Sequence, residues 1–93
     1  METKHKVSIL VPAHNCAKTI ERSFLSLAEQ TFKDFEVILV LNNCTDETGL
    51  LARKFSNNFK IKILSCNIPG IVPTLNTGIF HCSSELIARQ DGD

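Results

Sequence analysis

Short apolar runs alternate with amphipathic stretches along this chain, and the two kinds of segment have different periods. Val7-Ser8-Ile9-Leu10-Val11 is rich in β-branched residues and predicts a first strand that halts at Pro12, which has no N–H to give a sheet ladder. From about Lys18 to Gln30, the residues Ile20, Phe24, Leu27 and Ala28 recur at helical spacing, with Asn15 or Thr19 as candidate caps. Phe35 to Leu41 is nearly continuous in apolar residues, as expected of a central strand covered on both faces. Thr45 opens a second helix whose Asp46 and Glu47 complement the positive end of the helix dipole, and Ser56-Asn57-Asn58 closes it. Lys60 to Leu64 alternates and predicts a strand nearer a sheet edge. Pro69-Gly70 marks a turn, after which Leu75, Ile79 and Cys82 share one helical face. Leu86 to Arg89 completes the pattern as a fourth strand.

Strands that alternate with helices imply right-handed βαβ units and a parallel sheet. The expected fold class is α/β: a Rossmann-like three-layer α/β/α half-domain with a mostly parallel four-stranded sheet in the order 3-2-1-4. A topological switch then falls between strands one and four. Phe24, Phe35, Phe55 and Phe80 are the aromatic core candidates. No internal repeat, low-complexity segment or linker divides residues 1–93, so the chain reads as one unit.

Composition narrows the classes of function. Apolar residues make up 43% of the chain and charged residues 22%, which suits a globular core and argues against disorder. Ten basic and ten acidic residues cancel, and no basic stripe is present, so nucleic-acid binding is not expected. Cys16, Cys44, Cys66 and Cys82 are widely spaced without a C-x-x-C pair, which argues against a structural zinc site. No apolar stretch has the length of an export signal or a transmembrane segment, and the expectation is a cytoplasmic protein with reduced thiols.

Ligands of open α/β sheets bind at the carboxyl ends of the strands, near the switch point. There strands one, two and four would deliver Pro12-Ala13-His14-Asn15, Asn42-Asn43-Cys44-Thr45-Asp46 and Asp91-Gly92-Asp93. They offer an imidazole plane, amides able to read a base edge, and two carboxylates separated by one glycine. Carboxylates so close repel each other unless a cation lies between them, and hard cations such as Mg²⁺ or Mn²⁺ prefer oxygen ligands. A metal there could hold a diphosphate, so the inventory suits a nucleoside diphosphate. No G-x-G-x-x-G follows the first strand and no G-x-x-x-x-G-K-[ST] occurs, which argues against a dinucleotide cofactor and a P-loop.

The same segments carry a resemblance. Val7 to Asn15 is similar to the V-S-(I/V)-(I/V)-(I/V)-P-x-(Y/H)-N opening of family 2 glycosyltransferases, and Gln30 to Val37 resembles their Q-T-(Y/F)-x-(D/N)-(F/W)-E-(I/V) segment. Thr45-Asp46-Glu47-Thr48 fits the S-T-D-x-T turn, Asn76-Thr77-Gly78 the N-x-G element, and Asp91-Gly92-Asp93 the D-x-D element. The ordered set spans essentially the whole chain. It departs where Leu41-Asn42-Asn43-Cys44 stands in place of D-D-G-S, so Asn42 replaces an aspartate that often accepts a hydrogen bond from the donor base. An amide can both donate and accept, so base binding there is still expected.

The resemblance implies a truncated GT-A fold: residues 1–93 as the N-terminal, nucleotide-sugar-binding part, with the acceptor half absent. It implies sugar transfer from a nucleoside-diphosphate sugar, UDP marginally preferred, to an acceptor hydroxyl, with Mg²⁺ or Mn²⁺. Pro12, Ala13 and His14 would line the base, Asn42 would touch it, and Asp91 would lie near the ribose or metal-linked diphosphate. Asp93, with Asp91, would ligate the metal. No catalytic base is assignable, so the chain alone is expected to be silent. The competing expectation is a non-catalytic α/β binding module resembling a receiver domain, or one that self-associates through an exposed sheet edge. A receiver domain needs a phosphoacceptor aspartate at the end of a central strand, where this chain has Leu41-Asn42.

Overall fold

The structure, a computed structural model, describes residues 5–91. Its elements alternate as expected: β1 (Val7–Ala13), α1 (Ile20–Glu29), β2 (Phe35–Asn42), α2 (Thr48–Arg53), β3 (Lys60–Cys66), α3 (Ile71–Phe80) and β4 (Leu86–Arg89). The sheet order is β3-β2-β1-β4 and every neighbouring pair is parallel. Among the described residues, no helix is long and apolar enough to cross a membrane.

Strand alternation sorts the core into two layers. Odd-numbered residues of the central strands, Ile9, Val11, Phe35, Val37 and Leu39, pack with Ile20, Phe24 and Leu27 of α1 and Ala52 of α2. Phe24 is fully buried and meets Phe55 and Phe59 edge-on at ring-centroid distances of 5.7 and 5.6 Å. Even-numbered residues Leu10, Ile38, Val40, Leu64 and Cys66 face Leu75 and Cys82 on the other side. Here α3 lies so close to the sheet that a Cβ added at Gly78 would sit 2.0 Å from Leu10 Cδ1 and 3.0 Å from Val40 Cγ2. Only a hydrogen fits at that position.

At the amino-terminal end of the α3 face, Glu36 has a side chain with no exposed surface. Its Oε2 accepts hydrogen bonds from Ser8 Oγ at 2.6 Å, Ser83 N at 2.9 Å and Ser83 Oγ at 2.6 Å. Lys62 Nζ stands 3.6 Å from Oε1. Burial alone would raise the carboxyl pKa, but these donors and the Lys62 charge overcome it and hold the group at about 2. One carboxylate thereby joins β1, β2, β3 and the α3–β4 loop.

Four details differ from the sequence-based expectations. First, β1 runs through Pro12 to Ala13, with Pro12 in register with Val40. Leu10 O accepts from Gln90 N, so Leu10 and, two residues on, Pro12 turn their backbone groups toward β4. Pairing with β4 has ended by then, and the missing N–H costs no ladder bond. Second, α2 begins at Thr48 rather than Thr45. Third, neither candidate cap closes α1: Thr19 makes no side-chain cap bond, and Asn15 serves a different loop. Fourth, Phe80 is 85% exposed and belongs to neither core layer, because α3 ends there with that side chain turned from the sheet. Leu86 and Ile87, on opposite faces of β4, are exposed too.

Candidate functional site

The carboxyl ends of β1, β2 and β4 converge on a cleft of about 620 Å³. Pro12, Ala13 and His14 form one wall, Asn42 and Asn43 the floor, Pro69, Gly70, Ile71 and Thr74 the opposite wall, and Arg89 and Asp91 the rim. The sequence-predicted residues Pro12, Ala13, His14, Asn42 and Asp91 are therefore brought together. Asp93 lies outside the described residues.

Hydrogen bonds between loops hold the walls. His14 Nδ1 is 2.7 Å from the Asn42 carbonyl oxygen, so Nδ1 carries the proton and donates. That bond orients the exposed imidazole. Asn15 and Asn43 both have left-handed backbones, φ 48° and 50°, a conformation asparagine adopts more readily than most residues. Asn43 stands where the D-D-G-S pattern has its glycine, and its φ of 50° lies in the region that glycine enters without strain. Asn15 Oδ1 accepts from Thr45 N at 2.8 Å. Asp46 accepts from Thr48 Oγ1 and, at 3.0 Å, from Ala17 N, while Thr48 Oγ1 accepts from Cys16 N at 2.9 Å. The Thr48 hydroxyl is the main influence holding the Asp46 carboxyl below its usual range, assisted against partial desolvation by the backbone N–H donors. Asp46 thus clamps the β1–α1 loop to the β2–α2 loop.

Asn42 is buried and fully engaged on its nitrogen side. Its Nδ2 donates to Ile68 O at 2.8 Å and Thr74 Oγ1 at 2.6 Å, with Gly70 O at 3.5 Å. Its Oδ1 accepts from Asn43 Nδ2 at 2.8 Å. Direct contact with a ligand would fall to Oδ1.

At the rim, Arg89 Nε donates to Asp91 Oδ1 at 2.9 Å, and both side chains are about half exposed. Gln90 points the other way, its Nε2 donating to Ser23 Oγ at 2.8 Å, which ties the β4 end to α1. Arg89 and Thr74 escaped the sequence reading. For Arg89 a signal existed, since strand alternation places it on the same side as Asp91. Thr74 had none, because its position follows from how α3 docks. Carboxylate oxygens suit a hard divalent cation, and Asp91 supplies them at the strand end. No group of three or more His, Cys, Asp or Glu residues capable of holding a metal forms among the described residues.

A parallel 3-2-1-4 sheet with its cleft at the switch point is the architecture of GT-A glycosyltransferases, and solved structures of such enzymes superpose closely. S. aureus TarS, solved in complex with UDP, matches at a TM-score of 0.85 and 31% identity over 95% of this chain and 27% of its own. The Pyrobaculum calidifontis mannosyltransferase PcManGT, solved with GDP-Man and Mn²⁺, matches at 0.87 and 25% identity over 98% of this chain and 28% of its own. The chain belongs to glycosyl transferase family 2, whose model matches residues 8–93. Escherichia coli chondroitin synthase is 34% identical over 94% of this chain and 13% of its own length. The chain spans about a third or less of the length of the curated relatives it matches.

Proposed function

We propose that this chain is the donor-nucleotide portion of a metal-dependent glycosyltransferase that moves a sugar from a nucleoside-diphosphate sugar to an acceptor hydroxyl. The observation that carries the reading is the convergence of Pro12, Ala13, His14, Asn42 and Asp91 on one cleft at the strand ends. In this reading Pro12 to His14 line the base, with the imidazole face available for stacking. Asn42 offers Oδ1 to the base edge, and Asp91 lies beside the ribose or diphosphate. Asp91 and Asp93 hold Mg²⁺ or Mn²⁺, which when bound offsets the charge that builds on the departing diphosphate. Arg89 adds positive charge at the same rim. UDP is the first donor to test, in keeping with the UDP and UDP-GlcNAc complexes of TarS.

No residue here is assigned as the base that deprotonates an acceptor, so the 93-residue chain is proposed to bind donor without transferring sugar. Its four cysteines are free thiols, which suits a cytoplasmic setting. Calorimetric titration of UDP and GDP, with and without Mn²⁺, tests the reading against an Asp91→Asn/Asp93→Asn variant. Metal-dependent binding that the variant loses is the expected outcome. Binding unaffected by metal or by the double substitution would refute it, and so would absence of binding by the folded chain.

A second reading is favoured by β4, whose outer edge is unpaired among the described residues and whose Leu86 and Ile87 are exposed. Such an edge is a template for self-association. Light scattering that stays at monomer mass at high concentration would remove it.

A further inference from the structure

We infer that Asn42 is a positioning residue: its amide nitrogen latches the 67–70 loop against the end of β2, and the latch leaves the cleft floor with an acceptor but no donor. Thr74 sets the polarity of the latch. Its hydroxyl donates to the O of Gly70, the residue that precedes α3, at 2.7 Å, which consumes its one proton. Toward Asn42 the Thr74 oxygen can therefore only accept. Ile68 and Gly70 also present carbonyl oxygens to the same point. Three acceptors surround one nitrogen, and they fix which way the Asn42 amide lies. Asn43 Nδ2 confirms the orientation by donating to Oδ1 from the other side, and it also reaches Asn67 O at 3.4 Å.

The site is built rather than incidental. Asn42 is 8% exposed and Thr74 2%, so the bonds are shielded from water. Among the described residues the nearest backbone hydrogen bond between the strand ends, Asn43 N to Cys66 O at 3.3 Å, stops just before the loop. A carboxylate at position 42 would keep the shape but turn lone pairs toward Ile68 O, Gly70 O and Thr74 Oγ1. Buried acceptors left facing one another are costly.

Both hydrogens of Nδ2 are spent, whereas Oδ1 has accepted only one bond. On the proposed nucleotide site, on which this consequence rests, a base that reaches Asn42 must bring an N–H. Uracil and guanine bring a ring N–H on the pairing edge, and cytosine and adenine bring an exocyclic amine N–H there. The contact therefore makes the base the donor and Asn42 the acceptor, without selecting among bases.

The latch is tested without any nucleotide by thermal unfolding of wild type, Asn42→Asp and Asn42→Ala at about pH 8 and about pH 4. Asn42→Asp should melt roughly 5–10 °C below wild type at the higher pH. At the lower pH a protonated carboxyl can donate again, and most of that gap should close, while the Asn42→Ala gap stays constant. The charged or titratable groups nearby are His14, Cys16, Cys66, Arg89 and Asp91, all common to the variants. Repeating the comparison on a His14→Gln background removes any pairing of the new carboxylate with the imidazole. An Asn42→Asp gap that is absent, or equal at both pH values, would overturn the latch. Should Asn42→Asp not fold at either pH, Thr74→Val and Thr74→Ser decide: Val should lose several degrees and Ser should retain wild-type stability, and equal behaviour would refute the inference. Titration with UDP and with UDP methylated at the uracil ring N–H then reads the consequence separately. Binding of the methylated nucleotide at least tenfold weaker than UDP supports it, binding as tight as UDP overturns it, and failure of both to bind speaks against the nucleotide site while leaving the latch result intact.

Discussion

Replacing Glu36 by Gln should destabilise this chain by an amount that depends on pH in a defined way. In the fold the carboxyl titrates at about 2 rather than its ordinary 4.5. Burial opposes ionisation, but hydrogen bonds from Ser8 and Ser83 and the Lys62 charge outweigh it. At 1.36 kcal/mol per unit, that depression corresponds to about 3 kcal/mol of stability. Because the folded pKa is the lower one, the contribution is fully present above the unfolded value of 4.5 and is lost as pH falls toward 2. Glutamine can keep one accepting oxygen but has no charge for three donors, and its amide hydrogens would face Lys62 without an acceptor. Urea unfolding of wild type and Glu36→Gln should therefore show a gap of about 3 kcal/mol near neutrality that mostly disappears by about pH 2. Other carboxylates titrate in both proteins and cancel in the difference. A gap that is the same at about pH 6 and about pH 2.5 would mean that Glu36 acts through shape and not through charge, contrary to this account.

Further expectations follow from packing. Gly78→Ala forces a methyl to within 2.0 Å of Leu10 Cδ1 and should cost about 1–3 kcal/mol in urea unfolding; a neutral result would mean that α3 shifts freely on the sheet. Phe24→Ala should cost about 3–5 kcal/mol by emptying the aromatic cluster, whereas Phe80→Ala should stay within about 0.5 kcal/mol because its ring is exposed. Equal costs would show that the ring at position 80 is packed beyond its edge contact with His81. Burial pushes the Cys82 thiol up from its usual pKa, and its Sγ lies 3.3 Å from Gly78 O. Iodoacetamide at about pH 8 should alkylate Cys82 severalfold more slowly in the folded chain than in urea, with peptide mass mapping as the measurement.

What could be read before the structure, and what could not, divides along one strand. The run from Phe35 to Leu41 announces a central strand because apolar side chains must cover both faces of an interior strand, and that alone orders the sheet around it. The two polar residues that bound β2, Glu36 and Asn42, carry no such signal. Both point to the α3 face, and their meanings depend on which groups α3 and its flanking loops bring to them. At the amino-terminal end the groups are Ser8, Ser83 and Lys62, all donors, so a carboxylate fits there. At the carboxyl end they are Ile68 O, Gly70 O and Thr74 Oγ1, all acceptors, so an amide fits there. Periodicity could not predict this contrast, because donors and acceptors alternate with the same period as any other side chain. The same limit explains Phe80, which has an apolar composition but not a buried face, and Pro12, whose missing N–H matters only where a neighbour strand still pairs. Motif spacing succeeded at the strand ends for the opposite reason: Pro12, His14, Asn42 and Asp91 reach one cleft through backbone topology, whatever their partners are. Position in the cleft was thus legible from order along the chain. The role of each polar atom became legible only when the atoms facing it could be named.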